Sequence, residues 1–256
     1  MKRFLLLLLV LVLPSKGLCY ERVVVLYAPA SGIIKALGAG DKVVGRTRTD
    51  ETFPKAVNVG SHLRPNIELI KALRPDLIVA GSKRAFPEEL EKRLNTKVYR
   101  YDPRNIEDLL QCILDLGKLL DRQAKAESLV REFRERLTKL MPLKRPVRVI
   151  YEVSQSPLKV AGQRSIVTAI IEKAGGVNQV KVNRKHVIIS PEEILKLNPD
   201  LYIYQEGPMN RNPIPPRERP YFSALKAKTL KVDEKEFARP GLNVIDAILR
   251  LNRLFK

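Results

Sequence analysis

The sequence predicts an α/β protein built as two similar lobes with mainly parallel sheets, joined by one long interlobe helix and separated by a cleft. Three observations predict it. Short β-branched runs alternate with segments of helical period along the whole chain, the order that gives a parallel sheet covered by helices. The stretch 66–81 returns 124 positions later as 190–205, setting Glu68 on Glu192, Ile70 on Ile194, Leu73 on Leu197, Pro75 on Pro199, Asp76 on Asp200 and Leu77 on Leu201. Between the copies an apolar stripe recurs at helical spacing from Ala124 through Leu129, Val130, Phe133 and Leu137 to Leu140.

Taken in order, the chain opens with two cations, an apolar run from Phe4 to Leu13, a Pro14 breaker and small residues at Ser15 and Gly17. This is a secretory signal, expected over 1–17, and its apolar run is too short to span a bilayer. A lipid anchor on Cys19 is the less favoured alternative, because Leu18 stands where a small residue is expected. The first lobe is assigned to 18–120. ERVVVLYAPA reads as a strand, 31–38 as a helix, KVVGRT as a strand, 67–73 as a helix stopped by Pro75, DLIVAG as a buried strand, PEELEKRL as a helix and KVYRY as a strand. Asp102 followed by Pro103 has the form of a helix start. Gly117 and Asp121 break the following helical pattern, leaving an interlobe spine at 121–141, its helix running from Arg122 to Met141, about 30 Å long. The second lobe, 142–256, restarts with VRVIYEV, a helix at 165–174, a loop through His186, a helix at 191–197 and the strand DLYIYQ. A proline-rich loop, EGPMNRNPIPPRERP, the strand KTLKVD and the helix GLNVIDAILRLNRLF complete it.

A second, weaker echo sets Ile33, Ile34 and Gly38 on Ile170, Ile171 and Gly175 at an offset of 137. His62 and His186, the only histidines, share the offset of 124. Each precedes the helix that leads into a Pro-Asp-Leu strand, so the repeat sets one imidazole on each wall of the cleft.

The full chain carries 47 basic and 28 acidic residues. Without Lys2, Arg3 and Lys16 of the signal the basic count is 44, and the net charge is near +16. Tryptophan is absent, no basic-aromatic motif appears, and an exported chain seldom meets nucleic acid, so nucleic acid is excluded as a partner. The excess is read as surface solubility together with a field that favours an anionic ligand. Two cysteines, Cys19 and Cys112, give no zinc signature. Export permits a disulfide between them, and a buried free thiol at Cys112 is the equal alternative.

The run RVVVLYAPASGIIKALGAGDKVVGRT, then NVGSHLRPNIELIKALRPDLIVAG, the spine, SPEEILKLNPDLYIY and ARPGLNVIDAILRL resemble, in that order, the periplasmic binding proteins for iron complexes and cobalamin that serve ATP-driven (ABC) importers. The resemblance covers nearly the whole mature chain. It implies a rigid bilobal fold, a cleft for the ligand, and delivery to a membrane permease dimer by a monomeric protein. It also implies docking through one acidic residue on top of each lobe, here Glu68 and Glu192. An acidic residue in a first helical turn is stabilising against the helix dipole without any partner, which is the alternative role for both. The histidines stand where cobalamin-binding members place large aromatics. As imidazoles they become candidate metal ligands through a bound chelate.

Around them the candidate ligand contacts are Tyr27, Arg48, Arg64, Ser82 and Arg84 from the first lobe, and Arg164, Arg184, Asp233 and Arg239 from the second. Guanidinium groups suit carboxylate or catecholate oxygens, and strand ends are where α/β domains bind ligands. The expected function is capture of an anionic metal chelate, a ferric siderophore or haem, with no intrinsic cofactor and iron or cobalt arriving in the cargo. A cobalamin or cobamide, or an oxyanion such as molybdate, is the alternative. A chelatase-like enzyme on the same fold ranks below both, since no cysteine cluster, nucleotide-binding glycine loop or Ser-His-Asp order is present.

Overall fold

The computed structural model describes residues 19–256, so the expected signal segment lies outside the described residues. The first sheet is wholly parallel, in the order β3 (Val57–Asn58), β2 (Val43–Arg46), β1 (Val23–Val25), β4 (Leu77–Ala80), β5 (Lys97–Arg100). Its helices are α1 (Pro29–Ala36), α2 (Ile67–Ala72) and α3 (Glu88–Leu94). Two helices, α4 (Ile106–Leu119) and α5 (Gln123–Leu137), lead across to the second lobe.

The second sheet is built on β6 (Val147–Ser154). One edge of β6 pairs in parallel with β10 (Leu201–Glu206), which in turn pairs with β11 (Lys228–Asp233). Its other edge is shared: β8 (Gly176–Asn178) takes the first half in parallel, and β7 (Lys159–Ala161) takes the last half antiparallel. An antiparallel β9 (His186–Ile188) then pairs with β7. The helices are α6 (Ile166–Lys173), α7 (Pro191–Leu197), α8 (Glu234–Phe237) and α9 (Val244–Leu254).

The repeat seen in sequence is a repeat of backbone geometry. Gly38 and Gly175 close α1 and α6 with φ of 73° and 93°, a conformation that favours glycine. Arg74 and Asn198, at the offset of 124, both adopt left-handed backbone after α2 and α7, with φ of 46° and 45°. Asp76 accepts from the Arg22 amide at 2.9 Å, and Asp200 accepts from the Arg148 amide at 2.9 Å. Each Pro-Asp-Leu aspartate therefore ties the start of its strand to the start of the neighbouring central strand.

Strand alternation sorts the apolar residues into three clusters. Val24, Ile78 and Ala80 face outward under α2 and α3 with Ile70 and Phe86, while Ile150 and Tyr202 do the same in the second lobe with Ile194 and Phe222. The opposite faces join one cluster that runs through both lobes. It contains Val23, Val25 and Leu77, then Leu109, Ile113 and Phe133 of α4 and α5, then Val149, Tyr151, Ile170 and Ile248. Each lobe therefore keeps a cluster of its own under its outer helices, and a third core is common to both.

Four sequence expectations are corrected. The spine helix ends at Leu137, not Met141, because residues beyond it form only turn-like hydrogen bonds such as Leu140 N to the Leu137 carbonyl. Its fifteen residues span about 22 Å. The break before it comes at Asp121, held at φ 57°, and Gly117 lies within α4, where a Cβ would meet that of Ala126 at 2.3 Å. The helix after β5 is capped by Asn105, whose side chain accepts from the Asp108 amide at 2.8 Å, and not by Asp102. His186 does not lie in a loop but begins β9, paired with Ala161. Cys19 and Cys112 are free thiols, and burial raises the Cys112 thiol to about 11.

Candidate ligand cleft

The carboxyl ends of both sheets point at each other. Tyr101, which follows β5, donates its hydroxyl to the Pro240 carbonyl at 2.7 Å, and Lys235 at the start of α8 approaches Glu51 at 3.8 Å. Tyr27 follows β1 and lies 6.1 Å from Tyr101, ring to ring. Burial, reinforced by Asp102, raises the Tyr27 phenol to about 12, with Arg239 opposing. Tyr27 and Arg239, from different lobes, thus lie near one another where the lobes meet.

His62 lies in the Gly60–Pro65 turn, whose ends close an antiparallel bridge, and it is exposed. His186 is half-buried. Both imidazoles are held below the usual histidine range, His186 to about 4, first by loss of hydration and then by the Lys185 ammonium; Lys159 adds to the effect on His186. Lys185 belongs to the second lobe, yet it opposes protonation of His62 in the first. Lys185 thus opposes protonation of both histidines, which favours the neutral imidazole. Neutral imidazole is the form that binds a metal.

The exposed arginines on the segments that carry the histidines form the candidate rim. Arg48 donates its amide to the Gly60 carbonyl at 2.8 Å and Arg64 its amide to the Ser61 carbonyl at 3.2 Å, so both belong to the His62 turn. Arg164 and Arg184 are joined by a backbone bond of 3.1 Å on the strip that leads into His186. All four, and Arg84, are exposed and have no carboxylate partner among the described residues. Arg46 is not part of this rim, because its guanidinium is committed to the carbonyls of Phe53 and Thr47. Ser82 sits at the end of β4, where its carbonyl starts a turn by accepting from Ala85 at 2.9 Å. Asp233 is occupied otherwise: it caps α8 by accepting from the Lys235 amide at 2.5 Å.

Glu68 and Glu192 are both exposed in the first turns of α2 and α7. Glu68 contacts Lys71 at 3.3 Å and Arg93 at 3.7 Å. The Glu192 carboxyl is held below its usual range by its own backbone amide and by Ser190. Ser190 and Glu193 close a capping box around it.

The sequence reading missed a buried polar group behind the cleft. Glu152, in the apolar run of β6, is fully buried and accepts from Arg219 at 2.5 and 2.9 Å and from the Tyr202 hydroxyl at 2.6 Å. A glutamate inside VRVIYEV was the available signal, since such a residue is buried only with a partner. The partner lies 67 positions away in the proline-rich loop and has no periodicity to announce it.

Known proteins share this architecture. A Vitamin B12-binding protein of Vibrio cholerae is 29% identical over 166 residues, covering 62% of this chain and 60% of that protein. The high-affinity heme uptake system protein IsdE of Staphylococcus aureus is 27% identical over 175 residues, covering 63% of this chain and 59% of that one. The matched stretch is thus about three fifths of each relative's length. Among solved structures, S. aureus IsdE complexed with heme superposes with a TM-score of 0.77 at 21% identity, covering 92% of this chain and 98% of that one. A periplasmic heme-binding protein from Pseudomonas aeruginosa gives 0.78 at 20% identity, covering 92% of each chain. These likenesses carry the bilobal α/β fold. The match to the family model described as periplasmic binding protein spans residues 23–248, and the chain belongs to that family.

Proposed function

We propose that this protein is the exported, periplasmic binding component of an ABC importer, which captures an anionic metal chelate between its lobes and hands it to a permease dimer. What supports the reading is one histidine per lobe, His62 and His186, each held below its usual range by burial and by Lys185, with the exposed Arg48 and Arg64 on the His62 turn and Arg164 and Arg184 on the strip leading into His186. Neutral nitrogen donors suit iron or cobalt, and the cationic rim suits carboxylate or catecholate groups at the cargo's edge. The protein needs no cofactor of its own, acts as a monomer, and binds without turnover. The exposed Glu68 and Glu192, at equivalent steps of the two lobes, are the docking residues for a two-fold permease.

Haem or a ferric siderophore is the first cargo. A corrinoid is the second, favoured by the 29% identical Vitamin B12-binding relative. Absorbance titration with hemin, a ferric tris-catecholate, cobinamide and molybdate tests the reading. A spectral shift with a metal chelate that is weakened in His62→Ala and His186→Ala supports it. Binding of molybdate alone, or of none of the four, rejects it.

A further inference from the structure

The connection between β10 and β11 is long and contains only two short 3-10 turns, Pro216–Glu218 and Pro220–Phe222. Such connections are commonly mobile or functional. It leaves β10 at the sheet end that faces the other lobe, and its first part is pinned to that end. The Met209 amide donates to Glu234 Oε2 at 2.7 Å, within a turn closed by reciprocal Gly207 and Asn210 bonds of 3.1 and 3.0 Å. A Cβ on Gly207 would meet that of Glu234 at 2.5 Å, so the turn sits as close as glycine allows.

Further along, Ile214 is held at both backbone polar atoms. Its amide donates to Gln155 Oε1 at 2.9 Å, and its carbonyl accepts from Arg219 Nε at 2.8 Å. Gln155 is itself fixed, its amide donating to Asn210 Oδ1 at 2.9 Å. Arg219 is fixed by Glu152 at the centre of the sheet.

Most of the groups that do the pinning are buried, with Gln155 half-buried: Glu152 is 0% exposed, Arg219 2%, Asn210 5% and Glu234 6%. The side chains they position are not. Met209 is 46% exposed and Ile214 49%. A buried ion pair is seldom more stable than an apolar replacement of the same volume, so stability alone does not account for it. What it secures is the position of the loop. Fixing the backbone under two exposed apolar side chains removes the ordering cost that a mobile loop would bear on meeting a ligand.

We propose that Met209 and Ile214 are a pre-organised apolar contact for the rim of the cargo, with the exposed Arg211 beside them for its anionic groups and Glu152–Arg219 as the positioning pair. This rests on the reading that the cleft holds the cargo, and it narrows the class to a chelate with an apolar periphery, such as a tetrapyrrole, over a compact oxyanion. Hemin affinity and dissociation rate, measured on the full mature protein, test it. Met209→Ala with Ile214→Ala is expected to weaken hemin binding about tenfold at an unchanged melting temperature, the scale of losing partly buried apolar contacts. Gln155→Ala, which releases the Ile214 amide, should raise both hydrogen exchange at Ile214 and the hemin dissociation rate while leaving the apolar side chains in place.

If the double variant binds hemin like the parent while His62→Ala and His186→Ala weaken it, the pad is not a cargo contact and the proposal alone falls. If that variant binds normally but fails in transport, the pad belongs to the permease face, which also overturns it. If neither the pad nor the histidine variants alter binding, or the parent takes molybdate and not hemin, the cleft reading falls and the pad with it.

Discussion

The Tyr101 hydroxyl and the Pro240 carbonyl, 139 residues apart, meet at 2.7 Å across the two lobes. Tyr101 is fully buried, so this bond is shielded from competing water. Tyr101→Phe should lower stability by about 0.5–1.5 kcal/mol, the range for one neutral hydrogen bond. Chemical denaturation measures it. A larger loss of affinity than of stability would show that the bond sets the separation of the lobes.

The shared core, with α5 packed on both α4 and α9, limits lobe motion to a few degrees. Solution scattering with and without cargo should superimpose closely. A large hinged closure would expose apolar residues such as Phe133 and Ile248, both 3% exposed or less, and would contradict this architecture.

His186 stays neutral well below the ordinary histidine range, its pKa near 4. The unfolded chain takes up a proton near 6.5 while the native state does not, so stability falls as pH drops from about 6.5 toward 4 and levels off below. His186→Gln should flatten that part of the profile of melting temperature against pH. If the His186 nitrogen binds the metal, its share of the chelate affinity should hold from pH 7 to about 5 and decline only nearer 4.

Arg219→Met strands the Glu152 carboxylate in the sheet and should cost about 3–5 kcal/mol, whereas Glu152→Gln with Arg219→Met should recover much of that loss. Urea unfolding of the two variants is the measurement. Equal losses would mean that packing, not charge, dominates there.

Charge reversal at the lobe tops, Glu68→Lys with Glu192→Lys, should abolish transport while cargo affinity and melting temperature stay near the parent's. The exposed Glu68 contacts with Lys71 and Arg93 are worth less than about 1 kcal/mol. An unchanged import rate in cells would remove the docking role.

The amino-acid sequence by itself determined the alternation of strand and helix and the two-fold repeat, because these depend on local period and on spacing along the chain. Helix α7 runs from Pro191 to Leu197 as its spacing and capping residues dictate. The tertiary structure decided what distance in sequence conceals. The antiparallel β7–β9 pair is made by three-residue strands too short to carry a pattern, which is why His186 read as a loop residue. Lys185 acquires its influence on His62 only when the lobes meet. Glu152 inside the sheet and the buried Arg219 of the proline-rich loop are tolerable only because each finds the other, and a long-range pairing between one strand residue and one loop residue leaves no periodic trace in the chain that encodes it.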